Sequence, residues 1–142
     1  MPDRKGITKL LTDILIREKL TDRKYYAREV TLDYDAEHPK RVDVMQFIPK
    51  GVTYASDIEK GIFTCYEVKS CIEDVLSGHG LHFYGEKNYI VTTMETWKKL
   101  KNDPGKLVKH LFDNFPESSK YFGVLVAVPS YIDVKDTNAL YT

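Results

Sequence analysis

Residues 62–74 read IFTCYEVKSCIED, and this stretch decides how the chain folds. From Ile62 to Lys69 it is rich in β-branched and aromatic side chains, which predicts a strand. Ser70-Cys71-Ile72-Glu73 follows with the Ser-x-x-Glu spacing of a capping box, so a helix is expected directly after the strand. Alternation along the strand puts Phe63, Cys65, Glu67 and Lys69 on one face. Charged side chains are rarely buried unless paired or metal-bound, so Glu67 and Lys69 on a strand that reads as central call for an explanation.

Working outward towards the N-terminus, Pro49 to Gly61 is a long polar connection and Arg41 to Ile48 is a second strand. On that strand Asp43 shares a face with Arg41, Met45 and Phe47. Antiparallel pairing of the two strands brings Asp43 and Glu67 to one point with Lys69 beside them. Asp33 to Pro39 is turn material, and Lys24 to Leu32 reads as another strand. Ile7, Leu10, Leu11, Ile14 and Leu15 recur at helical spacing and predict a helix from Lys5 to Leu20. One more turn of that stripe lands on Glu18, which then points towards the sheet, whereas Asp13 falls off it. The alternative for Glu18 is a solvent-directed side chain paired with Arg17 or Lys19.

Towards the C-terminus, Gly78 and Gly80 end the helix begun at Ser70, and Asn88 to Thr92 is a strongly apolar strand. Thr92-Thr93-Met94-Glu95 is a second capping box, leading into a helix through Trp97 and Leu100. Asp103-Pro104 restarts the helical pattern, with Leu107, Val108, Leu111, Phe112 and Phe115 as its apolar face. Pro116 stops it, and Tyr121 to Val128 is the last strand. The expected order is α, β, β, β, α, β, α, α, β, an α/β fold with a mixed sheet between helices. Residues 1–142 are expected to form one domain.

Composition agrees with a folded chain: 42% hydrophobic and 30% charged over 142 residues. The 21 basic and 21 acidic side chains cancel, so there is no global attraction to nucleic acid. Lys98, Lys99, Lys101, Lys106, Lys109 and His110 cluster late in the chain, and a solvated helix face is the preferred reading over a phosphate-tracking patch. No apolar run approaches the ~18 residues of a membrane span, and the N-terminal Asp3-Arg4-Lys5 gives no secretory signal. Two cysteines, Cys65 and Cys71, cannot alone hold a zinc or an iron–sulfur cluster, and a reduced cytoplasm is the expected setting.

Asp43 and Glu67 form a hard-oxygen pair suited to Mg²⁺ or Mn²⁺, with the Val68 carbonyl as a further ligand if the strand turns it inward. Such an ion polarises a phosphoryl oxygen and lowers the pKa of bound water. Lys69 is suited to orient or deprotonate that water, or to neutralise charge growing on the phosphate. His79 and His82 sit in a glycine-broken segment and read as a phosphate contact or as exposed loop residues rather than as zinc ligands. Asp74 reads as a supporting contact or as a polar first helical turn. Cys65 reads as a small core residue and Ser70 as an N-cap. Walker, GxGxxG and HExxH motifs are absent.

Arg41-Val42-Asp43-Val44, then Tyr66-Glu67-Val68-Lys69-Ser70, with Glu18 on a preceding helix, resembles the PD-(D/E)XK nuclease superfamily. Val42 stands where the name-giving proline would be. The resemblance covers about Lys5 to Thr93 and extends to Gly78-His79-Gly80 and Tyr84 to Tyr89, which look like small bacterial and phage members. It implies a restriction-endonuclease-like αβββαβ core and Mg²⁺- or Mn²⁺-dependent hydrolysis of phosphodiester bonds. Asp43 and Glu67 would be metal ligands, Lys69 the water-orienting catalyst and Glu18 an auxiliary acid. Nucleic acid, and DNA in particular, is the expected partner, with no membrane and with a homodimer or protein partner left open. The alternative is a non-catalytic protein on the same fold that binds nucleic acid or another protein.

Overall fold

The computed structural model describes residues 3–20, 25–32, 40–51, 53–77, 85–103, 105, 107, 109, 122–129 and 138–141. Helix α1 (Arg4–Leu15) begins at Asp3, whose Oδ1 accepts from Gly6 N–H at 2.8 Å. Leu11, Ile14 and Leu15 are buried as the apolar spacing requires, while Leu10, at the edge of the stripe, is exposed. A single π-type turn, Ile16–Leu20, follows. The wider turn changes the angular step per residue. Leu20 is therefore carried into the core, and Arg17, Glu18 and Lys19 are left exposed.

The strands are β1 (Tyr26–Leu32), β2 (Lys40–Ile48), β3 (Ile62–Val68), β4 (Lys87–Thr93), β5 (Gly123–Pro129) and β6 (Asn138–Tyr141). They lie in the sheet in chain order. Pairing is antiparallel from β1 to β3, parallel from β3 to β5, and antiparallel again at β6. The chain is thus α/β, a mixed sheet flanked by helices. Two elements were not expected from sequence: β6, and α2 (Ala55–Glu59) inside the polar connection, held where Asp57 Oδ2 accepts from Tyr54 N–H at 3.2 Å. Helix α3 (Ile72–Leu76) follows β3, and α4 (Met94–Asn102) follows β4. Beyond Asp103, Gly105, Leu107 and Lys109 are helical. The remainder of that expected helix, including Val108, Leu111, Phe112 and Phe115, lies outside the described residues.

Both expected capping positions move one residue on. The N-cap of α3 is Cys71 rather than Ser70, and that of α4 is Thr93 rather than Thr92. The sheet claims the earlier residue in the second case: Thr92 Oγ1 donates to Lys69 O at 2.7 Å, which leaves Thr93 to accept from Thr96 N–H at 3.2 Å. In the first case, Ser70 N–H is taken by Asp74 Oδ2 at 3.3 Å.

The sheet separates two cores. On one face α1 packs Leu11, Ile14 and Leu15, with Leu20, against Val44, Tyr66, Val68, Val91, Leu125 and Ala127. On the other, Val75, Ile90, Leu100 and Leu107 cluster with Ile72, Trp97 and Phe122. Each fully buried Leu or Ile contributes about 1.5–3 kcal/mol, so these two layers hold β3 and β4 rigidly in the middle. No helix among the described residues is long and apolar enough to cross a membrane.

Candidate functional site

β2 and β3 pair from Ile48 opposite Ile62 to Val44 opposite Tyr66, and the regular ladder stops there. Where the next rung would stand, the Asp43 side chain intervenes, its Oδ2 accepting from Val68 N–H at 2.8 Å. On the other side of β2, the pairing with β1 skips the position opposite Asp43. That position is Glu29, whose φ of 54° lies in the left-handed region, an uncommon conformation for a residue with a side chain. The sheet is therefore locally opened on both sides of Asp43.

Glu67 lies one residue before Val68 and is 5% exposed. Its carboxyl lies close enough to Asp43 for the Asp43 charge to act on it directly. Burial, then the Asp43 charge, push the Glu67 pKa up to about 9, and Lys69 only partly offsets this. At neutral pH the metal-free pair therefore holds a proton. Two carboxyls this close require either that proton or a cation beside them.

Lys69 is also 5% exposed. Its N–H donates to Val91 O at 2.9 Å and its carbonyl accepts from Thr92, so the end of β3 is tied to β4. Its ammonium lies 3.8 Å from Asp74 Oδ1, which also meets Arg4 Nη2 at 3.2 Å. Within a strand, the N–H and C=O of one residue point to the same side, and successive residues alternate. Lys69 bonds towards β4 and Val68 N–H towards Asp43. The Val68 carbonyl accordingly faces the gap that Asp43 occupies.

The structure thus brings together Asp43, Glu67 and the Val68 backbone, with Lys69 next in the chain. It does not bring Glu18 to them. Glu18 pairs with the adjacent Arg17 at 3.3 Å. It also follows α1, which packs on the face of Val44, Tyr66 and Val68 rather than that of Glu67. The π-type turn is the physical reason, because it breaks the stripe on which Glu18 was expected. His79 and His82 lie outside the described residues. Lys98, Lys99 and Lys101 are exposed on α4, Lys99 pairing with Glu95 at 3.5 Å. The Cys65 thiol is pushed up to about 11 by burial and then by Glu67, so it is a protonated core group rather than a nucleophile. Sequence reading missed Arg4. Its signal was weak, a first-turn cation whose partner Asp74 lies seventy residues away.

No family model, curated protein or solved structure matches this chain.

The donor set itself is the test of a metal. Among the described residues there is no group of three or more His, Cys, Asp or Glu side chains that could hold one. What exists is two neighbouring carboxyls, Asp43 and Glu67, beside the Val68 backbone. That oxygen set fits a hard cation completing its shell with water or phosphate, and not zinc.

Proposed function

We propose that this chain is a divalent-metal-dependent phosphodiesterase acting on nucleic acid, with Asp43 and Glu67 as metal ligands and Lys69 as the catalytic cation. The observation that carries this reading is the break in the β2–β3 ladder, where Asp43 Oδ2 takes the Val68 N–H and the Asp43 charge acts on the buried Glu67 carboxyl. The order α1, β1, β2, β3, α3, β4 supports it as well, being that of a restriction-endonuclease-like core with α2 inserted before β3. Bound Mg²⁺ or Mn²⁺ would supply Lewis-acid polarisation of the phosphate and a water of lowered pKa. Asp43 and Glu67 fix the site on rigid strands, and the buried Lys69 ammonium offers positive charge to an oxyanion in a poorly solvated place. Nothing in this role needs Glu18.

One observation favours a second reading. Lys69 and Asp74 form a buried-to-half-buried ion pair that Arg4 closes from outside, an arrangement a non-catalytic binding protein of the same fold would also keep. The two separate in a cleavage test on labelled single-stranded and duplex DNA and on RNA, with Mg²⁺ or Mn²⁺. A phosphodiesterase cuts at least one form, and Lys69→Ala lowers the rate by about 10²-fold or more while binding persists. Binding without cutting by the wild type, with either metal, moves the assignment to the binding protein.

A further inference from the structure

A cleft of about 370 Å³ opens beside Asp74, lined by Arg4, Lys5, Thr8, Lys9, Thr12, Arg28, Ser70 and Asp74. Its volume is in the range of small-ligand sites. Among the described residues, four cations from two separate elements converge there against one carboxylate, in a chain whose net charge is zero. That carboxylate is already engaged, since Asp74 Oδ1 meets Arg4 and Lys69 while Oδ2 accepts from Ser70 N–H. Lys9 has a partner of its own in Asp13 at 2.9 Å. Lys5 and Arg28 have no ion-pair partner among the described residues. The α1 N-terminus contributes little, because Asp3 already caps it. The unbalanced charge therefore comes from side chains.

Arg28 is opposite Val44 in the β1–β2 pairing, so it projects to the α1 side of the sheet. There it faces the exposed cations of the first turns of α1 across the cleft. A guanidinium on a strand opposite ammonium groups on a helix suits the tetrahedral oxygens of a phosphate, monoester or diester, better than a planar carboxylate. Asp74 Oδ1 joins the cleft to the candidate site, touching Arg4 on one side and Lys69 on the other.

We infer that this cleft binds a phosphate group of the nucleic-acid strand, holding it one short step from Lys69. The inference rests on the proposed reading of the site for its substrate. The phosphate has two sources, a terminal monoester or an internal diester, with the same recognition chemistry.

The test is binding without catalysis. Fluorescence anisotropy in EDTA, with one labelled single-stranded DNA carrying either a 5′-phosphate or a 5′-hydroxyl, is measured for the wild type, Arg28→Ala, Lys5→Ala and the control Lys98→Ala. All three substituted positions are exposed, and thermal melts verify folding. Arg28→Ala and Lys5→Ala should each weaken binding about tenfold, the worth of a charge-assisted hydrogen bond, and flatten the salt dependence. Lys98→Ala should not. A preference for the 5′-phosphate that disappears in Arg28→Ala assigns the terminal group, and equal loss on both oligonucleotides assigns an internal one. Affinity unchanged in both cleft variants, or lowered equally by Lys98→Ala, overturns the inference. Because no metal or cleavage enters, an inactive Asp43–Glu67 site leaves this result intact, and a cleaving enzyme with an inert cleft is equally recognisable.

Discussion

On one face of β3, Tyr66 and Val68 meet Val44, Val91 and the leucines of α1. On the other, Glu67 and Lys69 meet Asp43 and Asp74. Exposure does not distinguish them: Tyr66 is 6% exposed, and Val68, Glu67 and Lys69 are each 5% exposed. What differs is how each face is stabilised. The first gains from removing apolar area from water. The second carries desolvated charges, kept in place by a proton on Glu67, an ion pair at Lys69 and the rigidity that the first face provides. A fold builds a strained polar site where an apolar layer can hold it.

The largest expected effect lies on the apolar face. Leu15→Ala, at a fully buried position, should lower stability by about 2–5 kcal/mol in denaturant titration. A loss below 1 kcal/mol would mean that α1 does not clamp β3 from that side.

The polar face should respond in the opposite direction. Glu67→Gln should raise the melting temperature of the metal-free protein at neutral pH, because it keeps a hydrogen-bonding group and removes the need to hold a proton. The sign follows from the raised pKa. Between about 4.5 and about 9 the folded chain keeps a proton on Glu67 that the unfolded chain has released. Stability from this group is therefore complete below about 4.5 and is lost as pH rises towards about 9. Melting curves across that range should fall for the wild type relative to Glu67→Gln. Parallel curves would place Glu67 in a structural ion pair with Lys69 instead.

A smaller test returns to the apolar face. Thr64 is 2% exposed, on the side of Tyr66 and Val68, and its hydroxyl has no partner among the described residues. Thr64→Val keeps the shape and removes the stranded hydroxyl, so stability should rise by up to about 1 kcal/mol. A loss on chemical denaturation would show that the hydroxyl is satisfied after all.

Much of this contrast was legible in the sequence. The alternation of Tyr66, Glu67, Val68 and Lys69 placed two side chains on each face, and alternation on the Asp43 strand put Asp43 on the face opposite the buried Val42 and Val44. The α/β class and the mixed sheet followed from the element order. Three features were not legible, each because tertiary contacts overrode a local pattern. The π-type turn diverted Glu18, since nothing between Ile16 and Leu20 marks a change of helical step. The caps shifted by one because Thr92 was required at the Lys69 carbonyl. The role of Asp74 depends on Arg4, a contact no local spacing reveals.

The central claim is that the proton held on Glu67 stands in for a metal ion, and calorimetric titration of Mn²⁺ at neutral pH tests it most directly. Ligands must be deprotonated for the ion to enter. Titrations in two buffers of different ionisation enthalpy should therefore give different observed heats, corresponding to release of a proton. The melting temperature should rise with Mn²⁺ concentration, and Glu67→Gln should abolish the buffer dependence. Absence of binding at millimolar Mn²⁺, or binding with no proton released and unaffected by Glu67→Gln, would contradict the account.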